Sequence, residues 1–133
     1  NSLCHPRRPE LLAVIDWEMA TIGDPLSDLG LFLMFWGPRA IDPPGFAHVQ
    51  GVTRVEGVLS RAELAAAWAA TSGLSTDHLN FYLCFAFWRL AAIVEGAYGL
   101  FLEGKVNTPY ARGLEADVPA LLHEAALAAR GEW

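Results

Sequence analysis

The pattern of apolar and polar residues divides the chain into a short strand-like beginning and a long helical remainder. Leu11 to Trp17 is an apolar run of strand length, and Pro6 to Glu10 before it is rich in turn-forming residues. Ser2 to His5 precedes this turn and is a second candidate strand. Together these segments predict a β-hairpin joined by a polar loop.

Capping residues and helical periodicity predict four helices after the hairpin. Asp24-Pro25 and Thr108-Pro109 pair a capping side chain with a proline suited to the first turn, and Ser60 to Glu63 has the form of a capping box. The helices are expected from about Pro25 to Trp36, from Arg61 to Thr71, from Ser75 or Thr76 to Glu103, and from Pro109 to Arg130. Arg39 to Leu59 is expected to be a loop.

The longest predicted helix carries apolar residues on two of its faces. One face holds Leu79, Tyr82, Leu83, Ala86, Leu90, Val94, Ala97 and Phe101, and the other holds Phe81, Phe85, Trp88 and Ala92. We therefore expect its middle to be buried on all sides. The fold class is mainly α with a small β-hairpin, and residues 1–133 are expected to form one domain, with the hairpin in 1–24 and the helical region in 25–133.

Composition and charge narrow the classes of function. Hydrophobic residues make up 53% of the 133 residues, enough for a core. The net charge of -6 argues against a nucleic-acid partner and against a basic membrane-binding face. The apolar stretch Phe81 to Val94 is interrupted by Arg89 and is shorter than a membrane span of about 20 residues.

The two cysteines and the first residues of the chain indicate the cellular compartment in which the protein is expected. Cys4 and Cys84 lie far apart, which favours a reducing environment over a disulfide framework. The polar, proline-containing start does not resemble a signal peptide, so a cytoplasmic location is expected. Because the chain begins with Asn1 and enters a strand almost at once, we interpret it as a piece of a longer protein.

Three carboxylates are the residues most suggestive of chemistry. Asp16 ends the apolar strand, Asp24 stands at a helix start, and Asp28 follows one turn later, so the three are expected to converge. Hard oxygen ligands of this kind suit Mg²⁺. Asp24 is more simply explained as a helix cap, and Asp28 as an acid that favours the helix dipole. The residues alone therefore indicate either a divalent-cation site or ordinary helix-start chemistry.

The segments Ile15-Asp16-Trp17-Glu18 and Gly23-Asp24-Pro25-Leu26-Ser27-Asp28-Leu29-Gly30 resemble aminoglycoside phosphotransferases and choline-kinase-like enzymes. The resemblance is closest to the subgroup associated with acyl-CoA dehydrogenases. It implies the helical C-terminal part of the C-lobe of a protein-kinase-like fold, and a parent that transfers phosphate from ATP to a hydroxyl of a small molecule.

The same resemblance assigns roles to individual residues. Asp16 matches the aspartate that binds the Mg²⁺ bridging the nucleotide phosphates, and Asn1 matches the second metal ligand. Asp28 matches a helix aspartate that supports the catalytic loop, and Asp24 matches a position that is acidic in many members. In this subgroup a hydroxyacyl-CoA or similar metabolite is the expected acceptor.

Several parts of a kinase site are missing from the sequence. The resemblance places the catalytic-base aspartate five residues before Asn1, so no catalytic residue is expected within this chain. The sequence has no Gly-x-Gly phosphate loop, and its only lysine is Lys105, in a late loop. We therefore expect a C-terminal fragment that is inactive alone.

The remaining candidates concern the acceptor and alternative functions. Arg89 lies in an apolar helix and is expected to need an acidic partner, such as Asp24, Asp28 or Glu95, or a substrate phosphate. Trp36, Tyr82, Glu95 and Arg89 are candidate substrate-binding residues. One alternative is a non-catalytic helical assembly module that forms a homodimer through exposed apolar surface. The other is a metal hydrolase, for which histidine ligands at suitable spacing are lacking.

Overall fold

The computed structural model describes residues 1–18, 20–37 and 51–133, without the side chains of residues 51 and 52. The elements are strands β1 (Ser2–Cys4) and β2 (Leu11–Val14), and helices α1 (Leu26–Met34), α2 (Arg61–Ser72), α3 (Leu79–Leu102), α4 (Pro109–Gly113) and α5 (Asp117–Ala129), with short 3-10 turns at Gly51–Arg54 and Leu114–Ala116. The predicted fold class, mainly α with a small hairpin, is confirmed. Much of the predicted loop from Arg39 to Leu59 lies outside the described residues.

The two strands form the antiparallel hairpin that the sequence predicts. Ser2 pairs with Val14 and Leu3 with Ala13, and the register shifts between Leu3 and Cys4. The large apolar side chains of the hairpin remain about half exposed, among them Leu12 at 53%. The strands therefore pair with each other and contribute little to the buried core.

The core lies along one side of α3, on which α1 and α5 pack. Its fully buried side chains include Leu33, Leu83, Phe87, Leu114 and Leu121. The α1–α3 crossing is very close, because a Cβ added at Gly30 would lie 2.8 Å from the backbone carbonyl of Tyr82. Glycine at position 30 therefore allows the two helices to reach their observed separation.

The opposite side of α3 does not match the expectation of burial all round. Phe81, Phe85 and Trp88 are 65%, 39% and 53% exposed, and their rings stack at centroid distances of 6.3 and 6.0 Å. The prediction was wrong because α1 and α5 both lie on the other side of the helix. Helical periodicity identified two apolar faces, but packing in the described residues covers one.

By length and composition alone, α3 is able to cross a membrane. It has 24 residues and reaches a mean hydropathy of 1.4, with 22% of its most apolar stretch buried. The same properties are typical of the central helix of a helical core, and α3 is the helix on which α1 and α5 pack. Hydropathy therefore does not discriminate between these two settings.

Several helix boundaries follow the predicted caps. The Ser60 hydroxyl accepts a hydrogen bond from the Glu63 backbone N–H (3.2 Å), and the Glu63 carboxylate accepts one from the Ser60 N–H (2.7 Å). Gly73 ends α2 in a left-handed conformation with φ of 73°. The Thr108 hydroxyl accepts from the Ala111 N–H at 3.1 Å. These contacts confirm the capping box and the second cap-plus-proline signal.

Two predicted helices begin or continue differently. α3 begins at Leu79 rather than Ser75 or Thr76, because the Ser75 hydroxyl accepts the Asp77 N–H in a preceding turn. The single last helix is instead α4, a 3-10 turn and α5. Pro119 stands in the first turn of α5, where it lacks the N–H that would continue the hydrogen-bond ladder of a preceding helix.

Candidate functional site

Asp16 follows strand β2 with an unusual backbone conformation. Its φ is +71°, whereas the other described residues with a positive φ are glycines. A left-handed conformation at a residue with a Cβ costs about 1–3 kcal/mol and is frequent at functional sites. The carboxylate is exposed. Asp16 is thus an exposed residue with a left-handed backbone, two residues after the end of β2.

Asn1 lies beside Asp16 because of the hairpin register. The backbone N–H of Ile15 donates to the carbonyl oxygen of Asn1 at 3.0 Å, which continues the pairing of Ser2 with Val14. Both Asn1 and Asp16 are exposed, and within residues 1–18, 20–37 and 51–133 neither side chain has a hydrogen-bond partner. The backbones of Asn1 and Asp16 therefore lie at the same end of the hairpin, and both residues are exposed.

These two residues partly fit a magnesium ion. A carboxylate and an amide oxygen are hard ligands, and Mg²⁺ commonly takes one or two protein ligands, with phosphates and water completing its octahedron. The described residues contain no cluster of three or more His, Cys, Asp or Glu side chains able to hold a metal. The chemistry of Asn1 and Asp16 thus suits a magnesium–nucleotide complex better than an all-protein metal site.

Asp24 is held by two hydrogen bonds at the start of α1. Its Oδ1 accepts from the backbone N–H of Leu26 (2.9 Å), and its Oδ2 accepts from the hydroxyl of Tyr82 (2.8 Å). The Leu26 N–H and then the Tyr82 hydroxyl lower the pKa of the Asp24 carboxyl, and the same bond raises the pKa of Tyr82. Asp24 therefore serves the start of α1, as a capping residue would.

Asp28 lies in the first turn of α1, and its side chain is exposed. It borders a cleft between α1 and α2 of about 470 Å³, whose other lining residues are Leu29, Phe32, Leu64, Ala67, Trp68 and Thr71. The expected convergence of the three carboxylates is thus wrong, because they do not form a group able to hold a metal among the described residues. Asp24 accepts a hydrogen bond from Tyr82 instead, and Asp28 borders this cleft.

The predicted burial of Arg89 is also wrong. Its side chain is exposed on α3, and its guanidinium lies over the Phe85 ring at 6.0 Å. Among the described residues it has no acidic partner, so neither Asp24, Asp28 nor Glu95 neutralises it. An exposed guanidinium remains hydrated and needs no partner, because the desolvation cost that motivated the expectation is absent.

The other candidate substrate residues do not form one pocket with Arg89. Trp36 is half-buried, donates from Nε1 to the Leu59 carbonyl (2.7 Å) and stacks on Phe32 at 5.3 Å. Tyr82 binds Asp24, and Glu95 is exposed on α3. None of these four side chains lines the cleft between α1 and α2.

Two features of the site region were not predicted. The cleft depends on Phe32, Leu64 and Trp68, and the only signal in the sequence was large apolar side chains flanking an alanine-rich helix. Arg61 is buried, donates to the carbonyls of Trp36 (2.9 Å) and Met34 (3.3 Å), and lies over the Phe87 ring. It thereby ties α2 to the end of α1, although its sequence position suggested only the first turn of a helix.

Comparison with known proteins assigns the family. Residues 1–73 match the phosphotransferase enzyme family, and this segment contains the hairpin, Asp16, Asp24, Asp28 and α1 to α2. The chain belongs to the phosphotransferase enzyme family. The resemblance noted from the segments around Asp16 and Asp24 is therefore confirmed, and a protein-kinase-like fold follows from the membership.

Relatives of this phosphotransferase-family chain carry acyl-CoA dehydrogenase names. It is 33% identical over 114 residues to acyl-CoA dehydrogenase family member 10 of Mus musculus, covering 84% of this chain and 11% of the relative. It is 32% identical to acyl-CoA dehydrogenase family member 11 of Homo sapiens, covering 78% and 13%. The probable acyl-CoA dehydrogenase IBR3 of Arabidopsis thaliana is 28% identical, with 80% and 14% covered.

These relatives confirm the subgroup and also limit what they imply. The chain spans between about a tenth and a seventh of the length of the relatives it matches. Their dehydrogenase names therefore describe much longer proteins. No solved structure matches the phosphotransferase-family chain. Membership in the family identifies a kinase-like domain and does not identify the substrate that accepts the phosphate.

Proposed function

We propose that this chain supplies the metal-binding segment of an ATP-dependent kinase that phosphorylates a hydroxyl group of a small molecule. The observation that carries the proposal is the hairpin pairing, which places the exposed residues Asn1 and Asp16 at the same end of the hairpin, in a chain of the phosphotransferase enzyme family. Enzymes of this family generally use ATP and Mg²⁺. The proposed cofactors are accordingly Mg²⁺ and ATP.

Asp16 would hold the ion through a carboxylate oxygen, and Asn1 would hold it through its amide oxygen. An ion held there would supply positive charge beside the nucleotide phosphates. The strained backbone at Asp16 fixes where the carboxylate stands before the nucleotide arrives, which is a contribution by positioning. The catalytic base, the phosphate loop and the lysine are proposed to come from other parts of the parent protein.

The acceptor is proposed to be a hydroxyacyl-CoA or a similar metabolite, in a cytoplasmic enzyme. The support is the similarity to relatives named as acyl-CoA dehydrogenase family members. The cleft between α1 and α2, with Phe32, Leu64 and Trp68 in its wall, offers apolar surface for such an acceptor, and Asp28 borders it. A membrane or nucleic-acid partner is not part of the proposal.

The experiment that tests the metal role uses the natural full-length protein. ATP turnover is measured across a Mg²⁺ titration for wild type, Asp16→Ala and Glu115→Ala, the last an exposed carboxylate far along the chain. Asp16→Ala is expected to lower Mg²⁺-dependent turnover by more than the roughly 10- to 100-fold that loss of an outer-shell partner costs, since it removes a proposed ligand of the ion. Glu115→Ala is expected to match wild type. Equal turnover of Asp16→Ala and wild type would contradict the proposal.

A second candidate function is a non-catalytic module that self-associates. Phe81, Phe85 and Trp88 form an exposed aromatic stripe on α3, and the same helical spacing continues with Ala92, Gly96 and Gly99. At Gly96 and Gly99 an added Cβ would meet no atom within 4 Å. In an antiparallel pair of α3 helices the aromatic half of one copy would face the small-residue half of the other.

Sedimentation velocity distinguishes this candidate. If the stripe mediates a homodimer, the wild-type protein shows a concentration-dependent shift to a dimer. The double variant Phe85→Ser/Trp88→Ser remains a monomer at the same concentrations. The matched control Ile93→Ser changes another exposed apolar residue of α3 and should leave the dimer intact. If the wild-type protein stays monomeric over a concentration range of about 100-fold, the self-associating module is ruled out.

A further inference from the structure

The segment between Asp16 and α1 has few attachments to the rest of the molecule. Its described residues form neither helix nor strand, and all of them are exposed. The Nε1 of Trp17 donates to the Val14 carbonyl (2.7 Å), and the Ala20 N–H donates to the Trp17 carbonyl (2.9 Å). Both bonds stay within the hairpin and the segment itself, so they cannot fix the segment relative to the helices.

The end of this segment is tied to α3 through Tyr82. The Tyr82 hydroxyl donates to Oδ2 of Asp24 across 58 positions of sequence, while Oδ1 of the same carboxylate holds the Leu26 N–H. In the described part of the chain, no other hydrogen bond connects residues 15–24 to a helix beyond α1. One carboxylate therefore joins the start of α1 to the first turn of α3.

A second contact lies at the same residue of α3. Gly30 of α1 packs against the backbone carbonyl of Tyr82, so closely that a Cβ would approach to 2.8 Å. The crossing of α1 over α3 is thus set by steric contact at the backbone of Tyr82 and by a hydrogen bond at its hydroxyl. The Gly30 contact holds α1 itself, whereas the Tyr82 hydroxyl holds Asp24, which lies before α1.

We infer that the Tyr82 hydroxyl is a positioning group for the metal ligand: through Asp24 it anchors the far end of the segment that begins at Asp16. Asp16 keeps a left-handed backbone conformation in an exposed segment, and such strain persists only where the surrounding structure holds it. Anchoring at both ends, by the hairpin and by Tyr82, restricts the directions in which the Asp16 carboxylate can point.

This role replaces the one expected from the sequence, in which Tyr82 was a candidate for the acceptor pocket. Its hydroxyl is committed to Asp24, and its half-buried ring packs against the core. The inference rests on the proposed function for the identity of the ion. The anchoring of the segment, however, is a property of the fold that can be measured without any metal.

The test compares Tyr82→Phe with Tyr98→Phe in the natural full-length protein. Both variants remove one hydroxyl from a half-buried tyrosine of α3, and only the first removes a bond to the segment. Hydrogen exchange of the backbone amides of Leu26 and Ser27, which donate to Oδ1 and to the carbonyl oxygen of Asp24, is measured without metal. Tyr82→Phe should accelerate this exchange at least threefold, and Tyr98→Phe should leave it unchanged. Equal rates in the two variants would overturn the inference.

The second measurement uses Mn²⁺ with ADP as the probe, with free Mn²⁺ followed by electron paramagnetic resonance. The Mn²⁺ dissociation constant should rise roughly three- to tenfold in Tyr82→Phe, less than for a residue that contacts a metal ligand directly. It should stay within twofold of wild type in Tyr98→Phe. The effects of Tyr82→Phe and Asp24→Asn on the Mn²⁺ dissociation constant should be non-additive, because both variants alter the same hydrogen bond between Tyr82 and Asp24.

The outcomes separate the inference from the proposed function. If Asp16→Ala leaves Mn²⁺ affinity unchanged, the proposed metal role fails, and the exchange rates alone decide whether Tyr82 anchors the segment. If Asp16→Ala abolishes binding while Tyr82→Phe binds Mn²⁺ as wild type does, the metal role stands and the positioning role is refuted.

Discussion

The hairpin region, residues 1–24, and the helical region that follows it differ in how far their side chains are buried. In the helical region, Leu33, Leu83 and Phe87 are fully buried between α1, α3 and α5. In the hairpin region no described residue is buried, and Asn1 and Asp16 stand at its exposed end. The contrast teaches that stability and candidate chemistry are carried by different parts of this chain.

The difference has a physical cause. A two-stranded hairpin is marginally stable in water by itself, because it has no third strand or helix to cover its apolar face. Its position then depends on a few contacts with the helical region. The hydrogen bond from Tyr82 to Asp24 is one such contact, at the end of the hairpin region.

The largest expected effect comes from the core. Phe87→Ala removes a fully buried ring and should lower the free energy of unfolding by about 3–5 kcal/mol. Phe81→Ala, on the exposed side of the same helix, should lower it by less than about 1 kcal/mol. Chemical denaturation of both variants measures the difference. Similar losses would mean that something covers Phe81 and that the two sides of α3 are alike.

The next effect tests the α1–α3 crossing. Gly30→Ala places a methyl group against the Tyr82 backbone, which has little freedom to move. The free energy of unfolding should therefore fall by about 1–3 kcal/mol. Gly96→Ala adds the same group in open space on α3 and should stabilise the helix by about 0.5–1 kcal/mol. Thermal denaturation of the pair reports the sign of each change, and a neutral Gly30→Ala would show that the helices separate easily.

A smaller effect concerns the buried carboxyl of Asp117. Burial raises the pKa of this group, and its Oδ2 has no hydrogen-bond partner among the described residues. The folded state therefore binds the proton more tightly than the unfolded state, and stability falls as pH rises between the two pKa values. Asp117→Asn should raise the Tm at pH 7 by roughly 2–4 °C.

The pH dependence supplies the control for Asp117. Below about pH 4 the carboxyl is protonated in both states, so the advantage of Asp117→Asn should disappear. A Tm difference that stays constant from pH 3 to pH 7 would contradict burial of the charge as its cause.

The smallest effect is expected in the hairpin. Leu12→Thr changes an apolar residue that is about half exposed and should alter the free energy of unfolding by no more than about 0.5 kcal/mol. Equilibrium denaturation monitored by tryptophan fluorescence is suitable. A loss above 1 kcal/mol would show that the hairpin packs on the helical region, and the contrast between the two regions would weaken.

Local chemistry made much of the fold predictable. The capping box at Ser60, the left-handed Gly73 and the Thr108 cap act through neighbours within a few residues, so their sequence signals translate directly into structure. The hairpin was predictable for the same reason, since its strands are joined by a short polar turn. The family resemblance also rested on contiguous residues around Asp16 and Asp24.

Contacts between distant residues were not predictable. The burial of one side of α3 and the exposure of Phe81, Phe85 and Trp88 depend on where α1 and α5 pack, which helical periodicity does not reveal. Arg89 was expected to be buried because its neighbours in sequence are apolar. Exposure, however, is decided by neighbours in space, and its side chain lies on the uncovered side.

The sequence by itself determined the hairpin, the capped helices, the family, and Asp16 and Asn1 as candidate metal ligands. The tertiary structure decided how these parts are connected: Asp24 turned out to be bound by Tyr82, and Asp28 to border a cleft. The physical reason is the range of the interactions. Caps and turns are satisfied within a few residues, whereas the bond from Tyr82 to Asp24 joins residues 58 positions apart and requires α1 and α3 to lie close together, as they do at Gly30.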